Sequence, residues 1–93
     1  MPRAKWKIAF QKSAYREYQK LPRKVREKID ESLQILSISP FNDILNFRKI
    51  RGQEQHYRVR VGDYRIVYTP KASTLIIRVI RVGHRKDVYR FFK

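Results

Sequence analysis

The first periodic stretch is KWKIAF, in which Trp6, Ile8 and Phe10 alternate with Lys5, Lys7 and Ala9. A period of two belongs to a strand with one buried face, so residues 5–10 are expected to form a first strand. The period then changes. Tyr15, Tyr18 and Leu21 recur at spacings of three behind Ser13, a residue type that caps helix starts, and Pro22 interrupts the next turn. This predicts a short first helix. Pro22 in turn suits the first position of another, in which Val25, Ile29, Leu33 and Leu36 recur at four, four and three up to about Ser37. Its outer face is Lys, Arg and Glu, and both helices read as scaffold.

Between Ile38 and Ile50, Pro40 and the Asn42-Asp43 pair are turn chemistry, so an irregular connection is expected before Phe47 to Ile50 enters the sheet. Gly52 to Gln55 reads as a loop. YRVRVGDYRIVY, Tyr57 to Tyr68, alternates up to Gly62-Asp63 and then reverses, which is hairpin patterning. LIIRVIRV lies within a last strand expected from about Thr74 to Val82; it is apolar on both faces, as a central strand covered by helices would be. The order is strand, two helices, three strands. Such segregation argues an α+β fold, and 93 residues suit one domain, 1–93.

Charge changes the picture most. The chain has 23 Lys and Arg against 8 Asp and Glu, a net +15, which favours a polyanionic partner. Up to Asn46 the balance is 10 basic minus 5 acidic, +5; after it, 13 minus 3, +10. The second half carries the excess. Twelve aromatics and 42% hydrophobic residues argue against a disordered basic tail, and the absence of cysteine excludes disulfide and thiolate chemistry. No apolar run approaches the roughly 20 residues that span a bilayer, and MPRAKWKIAF lacks the apolar stretch of a secretion signal, so a cytoplasmic protein without a membrane partner is expected.

With Gly62-Asp63 as a two-residue turn, Val61 faces Tyr64, Arg60 faces Arg65, Val59 faces Ile66, Arg58 faces Val67 and Tyr57 faces Tyr68. One face then collects the apolar residues and packs on the helices, while the other collects Arg58, Arg60 and Arg65. Directly opposed like charges are unfavourable by a few tenths of a kcal/mol or more unless an anion lies between them. Arginine, unlike lysine, matches phosphate oxygens in bidentate fashion. The tail RVGHRKDVYRFFK, Arg81 to Lys93, adds His84, Arg85, Lys86 and Arg90 around Tyr89, an aromatic on which an RNA base could stack.

Together KIRG (Lys49 to Gly52), YRVRVGDYRIVY and VGHRKDVYR closely resemble the RelE branch of the RelE/ParE toxin family. The resemblance implies a RelE-like microbial ribonuclease fold, β-α-α-β-β-β, with an antiparallel-rich sheet packed against a two-helix hairpin. It further implies cleavage of messenger RNA in the ribosomal 30S A site and neutralisation by a cognate antitoxin; separately, no cofactor or metal is expected. Arg58, Arg60, Arg65, Arg85 and Tyr89 match its catalytic positions, and His84 is placed with them as a candidate proton acceptor; Lys49, Arg51, Arg81, Lys86 and Arg90 are assigned to RNA or ribosome binding. Where some relatives carry lysines able to accept a proton, this chain has Arg58 and Arg60, which hold theirs at pH 7. Histidine is the type that ordinarily titrates near neutrality; of His56 and His84, His84 adjoins Arg85 and is the favoured acceptor, with Glu54 the nearby carboxylate. Glu54, Asp63 and Asp87 are too few and too scattered for a two-metal site. The competing expectations are a ParE-like toxin acting on DNA gyrase and a basic RNA-binding module that does not cut.

Overall fold

Main-chain pairing at the end of the first strand decides where the first helix begins. In the computed structural model, which describes residues 5–41, 45, 47–50 and 55–84, strand β1 spans Lys7–Phe10 and runs parallel to the last strand, with Phe10 opposite Val79. Gln11 extends that pairing by donating its N–H to the Val79 carbonyl at 2.8 Å, and its own carbonyl accepts from Tyr15 at 2.9 Å. Gln11 is therefore the extended residue from which helix α1, Lys12–Gln19, departs, and no side chain caps it. Ser13, the expected cap, falls inside the helix because the sheet fixes the backbone two residues earlier.

Pro22 disfavours helical geometry at the residue before it, so α1 ends at Gln19 and Leu21 lies beyond it. Helix α2 spans Arg23–Ile38, and Pro22 is its N-cap rather than its first residue: ψ of 148° is extended, while its carbonyl accepts from Val25 and Arg26, both at 3.0 Å. The expected stripe is the buried one, with Ile29, Leu33 and Leu36 in the core and Val25 packed against it. Leu36 is 0% exposed, so Leu36→Ala is expected to destabilise the fold by about 3 kcal/mol, read from the urea midpoint. A loss under about 1 kcal/mol would contradict this packing.

The two helices are joined by a side-chain bond as well. The Tyr18 hydroxyl donates to Asp30 Oδ1 at 2.6 Å, and this bond, with desolvation, pushes the phenol up to about 12 from 10.0. A raised pKa means that the neutral phenol is favoured in the folded state. Its contribution is complete below pH 10 and is lost as pH rises through about 12. Melting temperature is expected to fall more steeply across that window in the unsubstituted protein than in Tyr18→Phe; parallel slopes would show that the bond is not formed in solution.

The sheet has five strands in the order β1-β5-β4-β3-β2, with β2 at Arg48–Lys49, β3 at Tyr57–Val61, β4 at Tyr64–Lys71 and β5 at Ile76–His84. All pairs but β1 with β5 are antiparallel, giving the expected α+β, antiparallel-rich architecture with the two-residue β2 added as an edge strand. Val59, Val61, Ile66, Tyr68, Ile77, Val79 and Val82 supply the sheet side of the core beneath Ala14, Ile29, Leu33 and Leu36. The Tyr68 ring is fully buried, which pushes its phenol pKa up, and its hydroxyl donates to the Pro40 carbonyl at 2.5 Å.

β5 departs from expectation in two ways. It starts at Ile76, not Thr74, because Leu75 takes a left-handed turn conformation with φ of 54°. Nor is it covered on both faces: Arg78 is exposed and Ile80 half-buried. The register skips Ile80, since Val67 pairs with Arg81 and Tyr68 with Val79. That bulge changes the side-chain parity, so both Val79 and Val82 reach the helix-facing core. Past Phe10, β5 has no β1 neighbour; there Glu17 accepts from the Val82 N–H at 3.2 Å and from Arg81 Nη2 at 2.6 Å, closing the edge from α1. No described helix is long and apolar enough to cross a membrane.

Candidate functional site

The turn between β3 and β4 has the form its sequence demands. Gly62 has φ of +60° while Asp63 keeps a negative φ, the pattern of a hairpin turn whose first central residue must be glycine. Register follows from it: Val61 pairs with Tyr64, Arg60 with Arg65, Val59 with Ile66, Arg58 with Val67 and Tyr57 with Tyr68. Since alternate residues share a face, Arg58, Arg60 and Arg65 lie together on the side of the sheet away from the helices. β2 extends that face, because Arg48 pairs with Arg58.

Arg48, Arg58, Arg60 and Arg65 line one cavity of about 490 Å³, and no carboxylate is among its described lining residues. Arg65 is its most deeply set member, only 7% exposed. Its Nη1 donates to the Tyr64 carbonyl at 3.0 Å and, more weakly, to the Gly62 carbonyl at 3.4 Å; Arg60 Nε reaches the same Gly62 oxygen at 3.4 Å. One turn carbonyl thus orients two cations. Opposite Arg65 on β5 sits Gly83, which brings no side chain against the guanidinium. Arg65 Nε is buried with no hydrogen-bond partner among the described residues. Burying a charged donor without a partner is costly, and a bound anion supplies what the protein does not.

The two histidines occupy opposite faces of the sheet, and neither is among the described residues that line the arginine cavity. His84 pairs with Tyr64, their rings meet edge-on with centroids 5.7 Å apart, and both lie on the helix-facing side beyond the bulge. It does not line the arginine cavity. His56, two residues before Arg58, is in contact with Thr69, whose Oγ1 lies 3.1 Å from His56 Nδ1. Thr69 alternates with Arg65 along β4, so the His56 imidazole shares the arginine face, roughly 7 Å along the strand from Arg58.

Two of the residues assigned to RNA or ribosome binding are also placed elsewhere. Arg81 is engaged by Glu17 in a half-buried ion pair that closes the β5 edge. Lys49 pairs with Tyr57 and therefore emerges on the opposite face from Arg48. Arg51, Arg85, Lys86, Tyr89 and Arg90, and with them Glu54, lie outside the described residues. Arg48 is the lining residue that sequence reasoning misses. Its signal is the RKIR stretch: an antiparallel partner for β3 puts every second residue on the arginine face, which selects Arg48 over Lys49.

The fold has counterparts in known proteins. A family model described as ParE toxin of type II toxin-antitoxin system, parDE, matches residues 4–89. A curated relative, Toxin RelE3 of Methanocaldococcus jannaschii, is 35% identical over 88 residues, covering 92% of this chain and 98% of that protein. The chain belongs to the RelE/ParE family of type II toxin–antitoxin toxins. Solved RelE structures superpose over nearly their full length. The isolated E. coli RelE toxin gives a TM-score of 0.75 at 29% identity, covering 92% of this chain and 93% of that one. The toxin in the RelB-RelE antitoxin-toxin complex from Methanococcus jannaschii gives 0.72 at 32% identity, covering 91% and 99%. Within this RelE-like fold, the described residues form no group of three or more His, Asp or Glu side chains able to hold a metal ion.

Proposed function

We propose that this toxin is a ribosome-dependent endoribonuclease that cuts messenger RNA in the 30S A site and so stops translation. The observation that carries the reading is the gathering of Arg48, Arg58, Arg60 and Arg65 around one cavity, with Arg65 nearly buried and its Nε without a hydrogen-bond partner among the described residues. In the step we infer, the 2′-hydroxyl of one nucleotide attacks the adjacent 3′-phosphorus and the bond to the 5′-oxygen of the next breaks. The products are a 2′,3′-cyclic phosphate and a 5′-hydroxyl; the proton lost by the 2′-hydroxyl passes to an acceptor, and the 5′-oxygen gains one. Negative charge growing on the phosphoryl oxygens is met by Arg65, Arg60 and Arg58, donors already oriented before reaction, the arrangement that usually supplies the largest share of a rate enhancement. We assign the proton acceptor to His56, which shares the arginine face beside the cavity without lining it. The ribosome supplies alignment of the attacking oxygen.

Ribosomes carrying an mRNA of defined codon, incubated with the toxin, are expected to yield RNA ends bearing cyclic phosphate and 5′-hydroxyl. Cutting is expected to persist in EDTA once intact ribosomes are verified. Loss of cutting on intact ribosomes would remove the metal-free chemistry. The toxin's regulator is proposed to be a cognate antitoxin of the RelB kind, since related RelE toxins are solved as complexes with RelB, and its setting the cytoplasm. The matching family model, described as ParE, gives a second reading some support: toxicity through DNA gyrase. Gyrase-dependent DNA breaks with intact mRNA would favour it, while RNA binding without new ends would favour a non-cutting module.

A further inference from the structure

Every carboxylate among the described residues stands on a helix or in the hairpin turn: Glu17 on α1, Glu27, Asp30 and Glu31 on α2, and Asp63. The described strands carry none. The sheet face away from the helices is therefore cationic well beyond the arginine cavity, and the strand register shows where. Ile8 and Phe10 of β1 and Ile77 and Val79 of β5 pack toward the helices, so Lys7, Ala9, Ile76 and Arg78 point the other way. Lys7 pairs with Ile76, which pairs with Lys71; one pleat on, Ala9 pairs with Arg78, which pairs with Thr69. Lys7 and Lys71 thus flank β5 roughly 10 Å apart, and Arg78 stands about 7 Å along the strand from the line between them. All three are exposed, and none forms an ion pair with a described residue. Ala9 and Thr69, on either side of Arg78, are short.

This group is separate from the cavity. Thr69, beside Arg78, is four residues along β4 from Arg65, roughly 14 Å, which exceeds the ~8 Å over which exposed charges interact at physiological salt. One phosphate cannot touch both, whereas a strand can: stacked at ~3.4 Å per phosphate, it covers the gap with about four nucleotides. We propose that Lys7, Lys71 and Arg78 form a second RNA-binding site, which holds the sugar-phosphate backbone of the strand after it leaves the arginine cavity along β4. That this strand is messenger RNA rests on the nuclease reading; the contact itself is a binding property. An acidic protein segment is the competing occupant. Protein contacts form around an apolar core with charged residues at the rim, but here a guanidinium is central and only Ile76 and Ala9 are apolar in the two rows.

The test follows binding of a single-stranded RNA of about ten nucleotides, 2′-O-methylated throughout so that it binds without reacting, by fluorescence anisotropy over a salt series. Arg78→Ala is expected to bind about 5-fold more weakly at about 0.1 M salt and to lose about 0.7 from the log-log salt slope. Lys7→Ala/Lys71→Ala/Arg78→Ala is expected to bind about 100-fold more weakly and to lose about 2. The control Lys20→Ala/Lys24→Ala/Lys28→Ala removes the same charge from exposed positions at the helices, and is expected to lose less than about a third of that slope. Every substituted position is exposed, so the fold is expected to survive, as circular dichroism will show. Equal losses in the two triple variants, an Arg78→Ala slope equal to that of the unsubstituted toxin, or no RNA binding by the latter would each overturn the site. Weakened binding of a decaglutamate peptide by the sheet variant, with RNA affinity unchanged, would assign the face to an acidic protein and overturn it too. The nuclease reading fails separately: the slope loss without cutting on programmed ribosomes removes the reaction, whereas cutting without the slope loss removes only the second site.

Discussion

Arg65→Ala is expected to lower single-turnover RNA cleavage on programmed ribosomes by at least about 10²- to 10³-fold, the range seen when one preoriented donor to a developing oxyanion is removed. The size follows from its setting. Arg65 is nearly buried, and two backbone carbonyls hold its Nη1 while Nε has no described protein partner. Lysine is not expected to rescue activity, because an ammonium lacks the fork that meets two phosphate oxygens at once. Arg65→Met separates chemistry from folding. Replacing a poorly compensated buried charge by an apolar side chain of similar length is often neutral or stabilising, so this variant is expected to melt at or above the temperature of the unsubstituted toxin while remaining inactive. Cleavage within 10-fold of the unsubstituted rate, in a variant with unchanged circular dichroism, would show that the cavity is not where phosphate charge is stabilised.

The second large effect is on salt. With each of the four arginines that line the cavity among the described residues engaging one phosphate charge, single strands lose about 0.7 log units of affinity per log unit of salt for each. Raising salt from 50 to 200 mM is therefore expected to weaken binding of a non-cleavable single-stranded RNA about 50-fold or more. The excess of basic residues elsewhere, within a net charge of +15, steepens this and does not flatten it. A slope shallower than about one would mean that contacts other than phosphates hold the RNA, and would argue against the cleavage reading.

Much of this architecture is legible in the residue pattern. The hairpin register follows from one glycine, because a two-residue turn with positive φ at its first residue leaves a single way to pair Tyr57–Val61 with Tyr64–Tyr68. The α2 stripe is legible because its spacing admits only one buried face. The start of α1 is not: Ser13 is the better cap by chemistry, but a hydrogen bond from Gln11 to Val79, 68 residues away in the chain, overrules it. Arg81 and His84 escape the pattern for a related reason. A bulge at Ile80 and the carboxylate of Glu17 redirect the last strand, and neither leaves a mark in local periodicity.

By itself, then, the sequence determined the order of the elements, the turn and the gathering of Arg58, Arg60 and Arg65 on one face, since each follows from side-chain period and glycine sterics within a dozen or so residues. Only the tertiary structure decided that Arg48 joins them, that Arg65 is buried with a nitrogen unpartnered among the described residues, and that His56 rather than His84 shares their face. Those outcomes depend on which strands lie side by side and on where the ladder slips. They are set by contacts between distant segments, which the pattern of neighbouring residues does not encode.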